Sequence, residues 1–170
     1  MNPQYPLNNM AEDAMQPGMV HLWPTVNPIS DLEDLHKSHG RLIQIHTLTR
    51  TNPKQIPRIC ALEPHQVRWV TDRPVNDAIR PTLENLYSTI DRNISSDRGI
   101  LWFEGIELLV RVNGFDAVLK FVRSIVDISQ KSEWTILIVG APGTMDKEQW
   151  ARLRREAPTI GRQQAIEQKT

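Results

Sequence analysis

Gly99 to Gly114, GILWFEGIELLVRVNG, is the stretch whose reading decides the fold. Four apolar residues, Ile100 to Phe103, end on Glu104, and a second acid, Glu107, stands just beyond Gly105. A short apolar run that stops at an acid and a glycine reads as a buried strand meeting its loop. The rest of the chain reads as elements packed around that strand.

Downstream of it, the loop carries Asn113-Gly114. Phe115, Val118, Leu119, Val122, Ile125 and Val126 then recur at helical spacing, which predicts a strong amphipathic helix ending near Lys131. Trp134 to Val139 is a continuous apolar run closed by Gly140-Ala-Pro142-Gly143, a second buried strand. Thr144 or Asp146 can cap a last helix, in which Trp150 and Leu153 are apolar and Arg152, Arg154 and Arg155 are solvated; Pro158 stops it.

Upstream, Leu83, Leu86, Tyr87, Ile90 and Ile94 mark another amphipathic helix, with Pro81 suited to its first position. Val67 to Thr71 and Leu42 to Thr49 read as strands; the latter alternates and is rich in β-branched residues. Between them Thr51-Asn-Pro53 breaks the chain, and a short weak helix is expected over Lys54 to Ala61. Ser30-Asp-Leu-Glu33 has the spacing of a capping box and predicts a helix that turns Leu32 and Leu35 inward and ends at Gly40. Met19 to Trp23, closed by Pro24-Thr-Val-Asn-Pro28, is the expected first strand.

Strands alternating with helices at this spacing predict parallel βαβ units. The expected fold is an α/β three-layer sandwich, about five mostly parallel strands with helices on both faces. One domain over residues 19–157 is expected, between a disordered tail over 1–18 and a flexible tail over 158–170. Ligands of such sheets gather beyond the carboxyl ends of the strands. The candidate binding residues are therefore Arg50, Asp72, Arg73, Glu104 and Glu107, with the loop at Pro142 beside them.

Twenty Lys+Arg balance twenty Asp+Glu, so the total charge gives no attraction to nucleic acid or to an anionic membrane, and neither is expected as a partner. No apolar run reaches the roughly 18 residues needed to span a bilayer, and no basic segment precedes an apolar one near the N-terminus. The single cysteine, Cys60, cannot form an internal disulfide and fits a reducing compartment. Cytoplasm is the expected location.

Trp69-Val70-Thr71, His39-Gly40, Thr49-Arg50-Thr51-Asn52-Pro53 and, above all, Ile100 to Asp127 resemble the archaeal family called domain of unknown function eight hundred thirty-five. That family typically has Asp-Gly-Ile-Glu-Tyr-Leu after an apolar strand; here Glu104 stands for the Asp and Leu108-Leu109 for Tyr-Leu. The resemblance runs from about Met19 to Ala157. It implies cytosolic proteins sometimes joined to sensor, kinase or DNA-binding domains, hence signalling assemblies. The order of elements also resembles a RecA- or KaiC-like ATPase core, with the strand ending at Glu104 in the place of the magnesium-organising acidic strand.

Against an ATPase stands the absence of any G-x-x-x-x-G-K-[ST] loop. Where that loop belongs the chain has Pro24-Thr-Val-Asn-Pro28-Ile-Ser30, with two prolines that lack N–H groups and neither glycine nor lysine. Arg50 suits a phosphate or carboxylate, or else an ion pair with Glu104, Glu107 or Asp72. Glu104 and Glu107 suit a cation, or else the donors of their own loop. His36, His39, His46, His65 and Cys60 lack the close pairing that zinc needs, and no cofactor or metal is expected. No nucleophile lies beside an activating base.

The sequence thus leads to a non-catalytic cytosolic regulatory or adaptor domain that binds another protein, and a homo-oligomer is compatible with it. The alternative is a nucleotide- or phosphate-ligand sensor, or a weak NTPase without a phosphate loop, using Arg50, Glu104 and Glu107.

Overall fold

The computed structural model describes residues 15–56 and 66–161. Its elements in chain order are β1 (Val20–Pro24), α1 (Pro28–His39), β2 (Gln44–Thr49), β3 (Val67–Trp69), α2 (Leu83–Ile94), β4 (Arg98–Glu104), α3 (Ile106–Asn113), α4 (Phe115–Ser129), β5 (Glu133–Gly140) and α5 (Lys147–Glu156). The five strands form one sheet in the order β1-β5-β4-β2-β3, and every pairing is parallel. The strand read first, β4, lies at its centre.

Parallel strands buried on both faces need apolar residues at consecutive positions, and β4 supplies them. Leu101 and Phe103 point to one face, where α2, α3, α4 and α5 bring Leu86, Ile90, Leu109, Val122 and Leu153. Ile100 and Trp102 point to the other, where α1 brings Leu32 and Leu35 against Trp23, Ile45, Leu137 and Val139. At Gly99 the sheet has no room for a side chain: a Cβ there would meet the Gln44 carbonyl at 2.6 Å and the Trp134 ring at 2.7 Å.

Several local expectations change. The Ser30–Glu33 capping box does not form; α1 begins earlier, at Pro28, with Asn27 as its N-cap and no side-chain cap bond. Proline at the first helical position offers a preset φ and gives up no needed hydrogen bond, so it opens the helix where it was expected only to close a strand. The loop after β4 holds a helix, α3, between Gly105 (φ 114°) and Gly114 (φ 85°). The two left-handed glycines let the chain enter and leave it abruptly. Ile106, Leu108 and Leu109 are its buried residues.

The expected weak helix over Lys54 to Ala61 is a single 3-10 turn at Pro53–Gln55, and residues 57–65, with Cys60 and His65, lie outside the described residues. The described parts of both expected tails, residues 15–18 and 158–161, are tied into the fold. Thr135 Oγ1 donates to the Gln16 carbonyl, and the Gly18 N–H donates to the Trp134 carbonyl. Beyond α5, Thr159 bridges Leu22 in parallel and Ile160 is buried. No helix among the described residues is long and apolar enough to cross a membrane.

Candidate functional site

The carboxyl ends of β2 and β4 lie side by side, and from there the chain runs in opposite directions, outward to β3 and back to β5. Glu104 ends β4 on the face shared with Trp102, because side chains two apart on a strand share a face. The residue is 5 % exposed. Three donors converge on it. Oε1 accepts from the Trp102 indole N–H at 2.8 Å, and Oε2 accepts from the Thr49 hydroxyl at 2.9 Å and the Arg50 backbone N–H at 3.3 Å. Burial pushes this carboxyl above its ordinary range; the bonds from Trp102, Thr49 and Arg50 oppose the rise, and the charge of Glu107 adds to it.

Glu107 sits in the first turn of α3, where the helix dipole favours an acid. Its Oε2 is enclosed and has no hydrogen-bond partner. It faces the end of β5, since a Cβ built on Gly140 would stand 3.7 Å from it.

Arg50 follows β2 directly and does not make the ion pair expected of it. Among the described residues none joins it to Glu104, Glu107 or Asp72 within 4.0 Å. Instead its Nη1 donates to the Val70 carbonyl at 3.3 Å, its own carbonyl accepts from the Trp69 indole at 3.1 Å, and its stem crosses Gly105. A Cβ on Gly105 would lie 3.3 Å from that stem, so glycine serves here for close approach as well as for its left-handed φ.

Asp72 and Arg73 are exposed in the turn after β3, which is closed by the Arg73 N–H donating to Thr71 Oγ1 at 3.2 Å. The structure thus gathers Arg50, Glu104 and Glu107 at one edge and leaves Asp72 and Arg73 on the surface beside it. The loop at Pro142 is held by the Trp150 indole, which donates to the Pro142 carbonyl at 2.9 Å. Sequence reading missed the two partners that decide what Glu104 does, Thr49 and Trp102. Strand alternation carried the signal for Trp102, two residues before Glu104; nothing local pointed to Thr49, which lies on another strand.

Chemically, an acid bonded by three protein donors is a fastener between β2 and β4. No three His, Cys, Asp or Glu side chains among the described residues are grouped to hold a metal ion. A shallow groove of about 450 Å³ lies at the opposite end of the sheet, lined by Leu42, Ile43, Gln44, Asp97, Arg98 and Glu133.

No curated protein matches the chain. A family model described as Protein of unknown function (DUF835) matches residues 28–157, which begins at the first residue of α1 and ends just past α5. That span holds β2 to β5 and every residue of the candidate edge, and the chain belongs to this family.

Proposed function

We propose that this domain is a non-catalytic regulatory or adaptor module of the cytoplasm, acting in signalling by binding another protein at the carboxyl edge of its sheet. The observation that carries the reading is Glu104. Both of its oxygens are engaged by protein donors, so the acid best placed for proton transfer or metal binding is spent on holding the edge together. Around it the chain presents half-buried Arg50, exposed Asp72 and Arg73, and Val75, which is 43 % exposed. A mixed, partly apolar rim over a rigid support has the chemistry of a protein-binding surface.

The test pairs two baits, wild type and Arg73→Glu/Val75→Asp. A protein captured by wild type is purified and titrated against both. The reading expects binding to weaken at least tenfold in the variant, and equal binding overturns it. A thermal-shift series with ATP, ADP, GTP and cyclic nucleotides, with and without magnesium, is the second arm. A ligand at about 100 times its Kd stabilises a fold by about 2.7 kcal/mol, which would raise Tm here by roughly 5 to 10 °C. Such a shift, weakened by Glu104→Gln, would replace the adaptor reading with nucleotide sensing.

A further inference from the structure

The segment after α5 closes the outer edge of the sheet. β1 is the edge strand, and its Leu22 is bonded on both sides of one residue: the Leu22 N–H donates to the Pro158 carbonyl at 3.1 Å, and the Ile160 N–H donates to the Leu22 carbonyl at 2.9 Å. Ile160 sits in the core beneath α1 with Trp23, Leu32 and Leu35, and Gly161 lies against the Trp23 indole. Pro158–Ile160 is therefore a strap of three residues.

His21, next to Leu22 on β1, touches the same carbonyl. Its Nδ1 stands 3.1 Å from the Pro158 oxygen. A carbonyl only accepts, so Nδ1 carries the hydrogen and the neutral ring keeps a bare lone pair on Nε2. That Nε2 is buried without a partner. A second proton would land there, as a buried N–H with no acceptor, and such a group is costly until water reaches it.

We propose that Pro158–Ile160 is a releasable strap, held most firmly while His21 is neutral and loosened when His21 takes its second proton. Release hydrates the ring and bares the Leu22 N–H and C=O to another extended segment. Burial lowers the pKa of His21 from 6.5, and the Pro158 carbonyl opposes this.

The elements packed around His21 supply little to compete. The β5 residues in register with Val20–Leu22 are Ile136, Leu137 and Ile138, all apolar, and the strap residues Pro158 and Thr159 do not titrate. From α1 come Asp31, whose carboxylate accepts the Trp23 indole N–H at 2.8 Å, and His36, also lowered by burial. Glu156, ahead of the strap, is paired with Arg123 at 2.7 Å.

The sign follows from linkage. The open form binds the proton more readily than the closed one, so closure is complete above about pH 6.5 and weakens below it, by at most about tenfold near pH 5.5. Hydrogen exchange on the full chain reads this at the Leu22 and Ile160 amides, corrected for intrinsic rates, with the Trp102 amide monitoring global unfolding. The expected result is a rise in opening of several fold to about tenfold at Leu22 and Ile160 between about pH 7.5 and 5.5, at a level that stays well above the opening at Trp102 throughout, and no such rise at these two amides in His21→Gln or His21→Phe. A flat wild-type profile, the same slope in the variants, or opening at Leu22 and Ile160 no greater than at Trp102 overturns the proposal. If neither variant folds, the wild-type His21 Cε1–H titration decides: it must run parallel to the opening, and a mismatch refutes the strap.

Discussion

Replacing Glu104 by leucine removes one carboxylate and strands three donors: the Trp102 indole, the Thr49 hydroxyl and the Arg50 N–H. Each buried donor left without an acceptor costs about 1–3 kcal/mol. The Thr49 hydroxyl can turn away, and the Arg50 bond is long at 3.3 Å, so the indole carries the largest share. Removing the ion also relieves the burial that raises its pKa, which offsets part of the loss. The net expectation for Glu104→Leu is about 3 kcal/mol, roughly 6–12 °C in Tm for a chain of this length. Glu104→Gln behaves differently. Its amide oxygen can accept the indole while its NH2 donates to Thr49, so only the Arg50 bond is lost and the cost is about 1 kcal/mol. Urea unfolding followed by tryptophan fluorescence measures both, with Trp102 beside the site as reporter. Equal losses in the two variants, or a loss below about 1 kcal/mol for leucine, would mean that water already serves these donors and that Glu104 is no fastener.

Gly99→Ala should cost about 2–4 kcal/mol in the same assay, because its Cβ meets a backbone carbonyl and an indole ring that cannot turn aside. Asp146→Ala should cost about 1 kcal/mol, since Asp146 and Gln149 form the capping box of α5; Ser30→Ala, at a position where the same motif does not form, should stay within about 0.5 kcal/mol. Stability against pH should fall on both sides. Glu104 is raised in the fold from 4.5, so its contribution is complete below 4.5 and is lost as pH rises through its native value, and Glu104→Gln should flatten that slope. His21 and His36 are lowered from 6.5, so theirs is present above 6.5 and lost as pH falls below it, and His36→Gln should flatten part of that second slope.

The layered α/β fold was legible because burial on two faces imposes a pattern that one strand cannot hide. Ile100 to Phe103 are apolar at every position and Trp134 to Val139 at every position but Thr135, as strands buried on both faces require. The helices at Leu83–Ile94 and Phe115–Ser129 kept their inward residues at the 3.6-residue period, so their expected faces matched those buried. Helix α3 was missed because its eight residues follow the strand after one glycine, leaving little polar interval to separate two apolar patterns. Ser30 misled for a related reason: a capping signature competes with a proline two residues earlier, and the fixed φ of proline wins.

Sequence by itself determined that acids and a basic residue would stand at the carboxyl edge, because strand ends and their first loop residues are local features. Only the tertiary structure decided what they do there. The pairing of β2 with β4 brings Thr49 to Glu104 across 55 positions of chain and turns an expected ion-pair partner of Arg50 into an acceptor for a hydroxyl, an indole and a backbone N–H. The same holds at the other edge, where His21 meets Pro158 across 137 positions. Hydrogen bonds are short-ranged and directional, so which donor reaches which acceptor is fixed by strand order and register, and those follow from how the whole core packs.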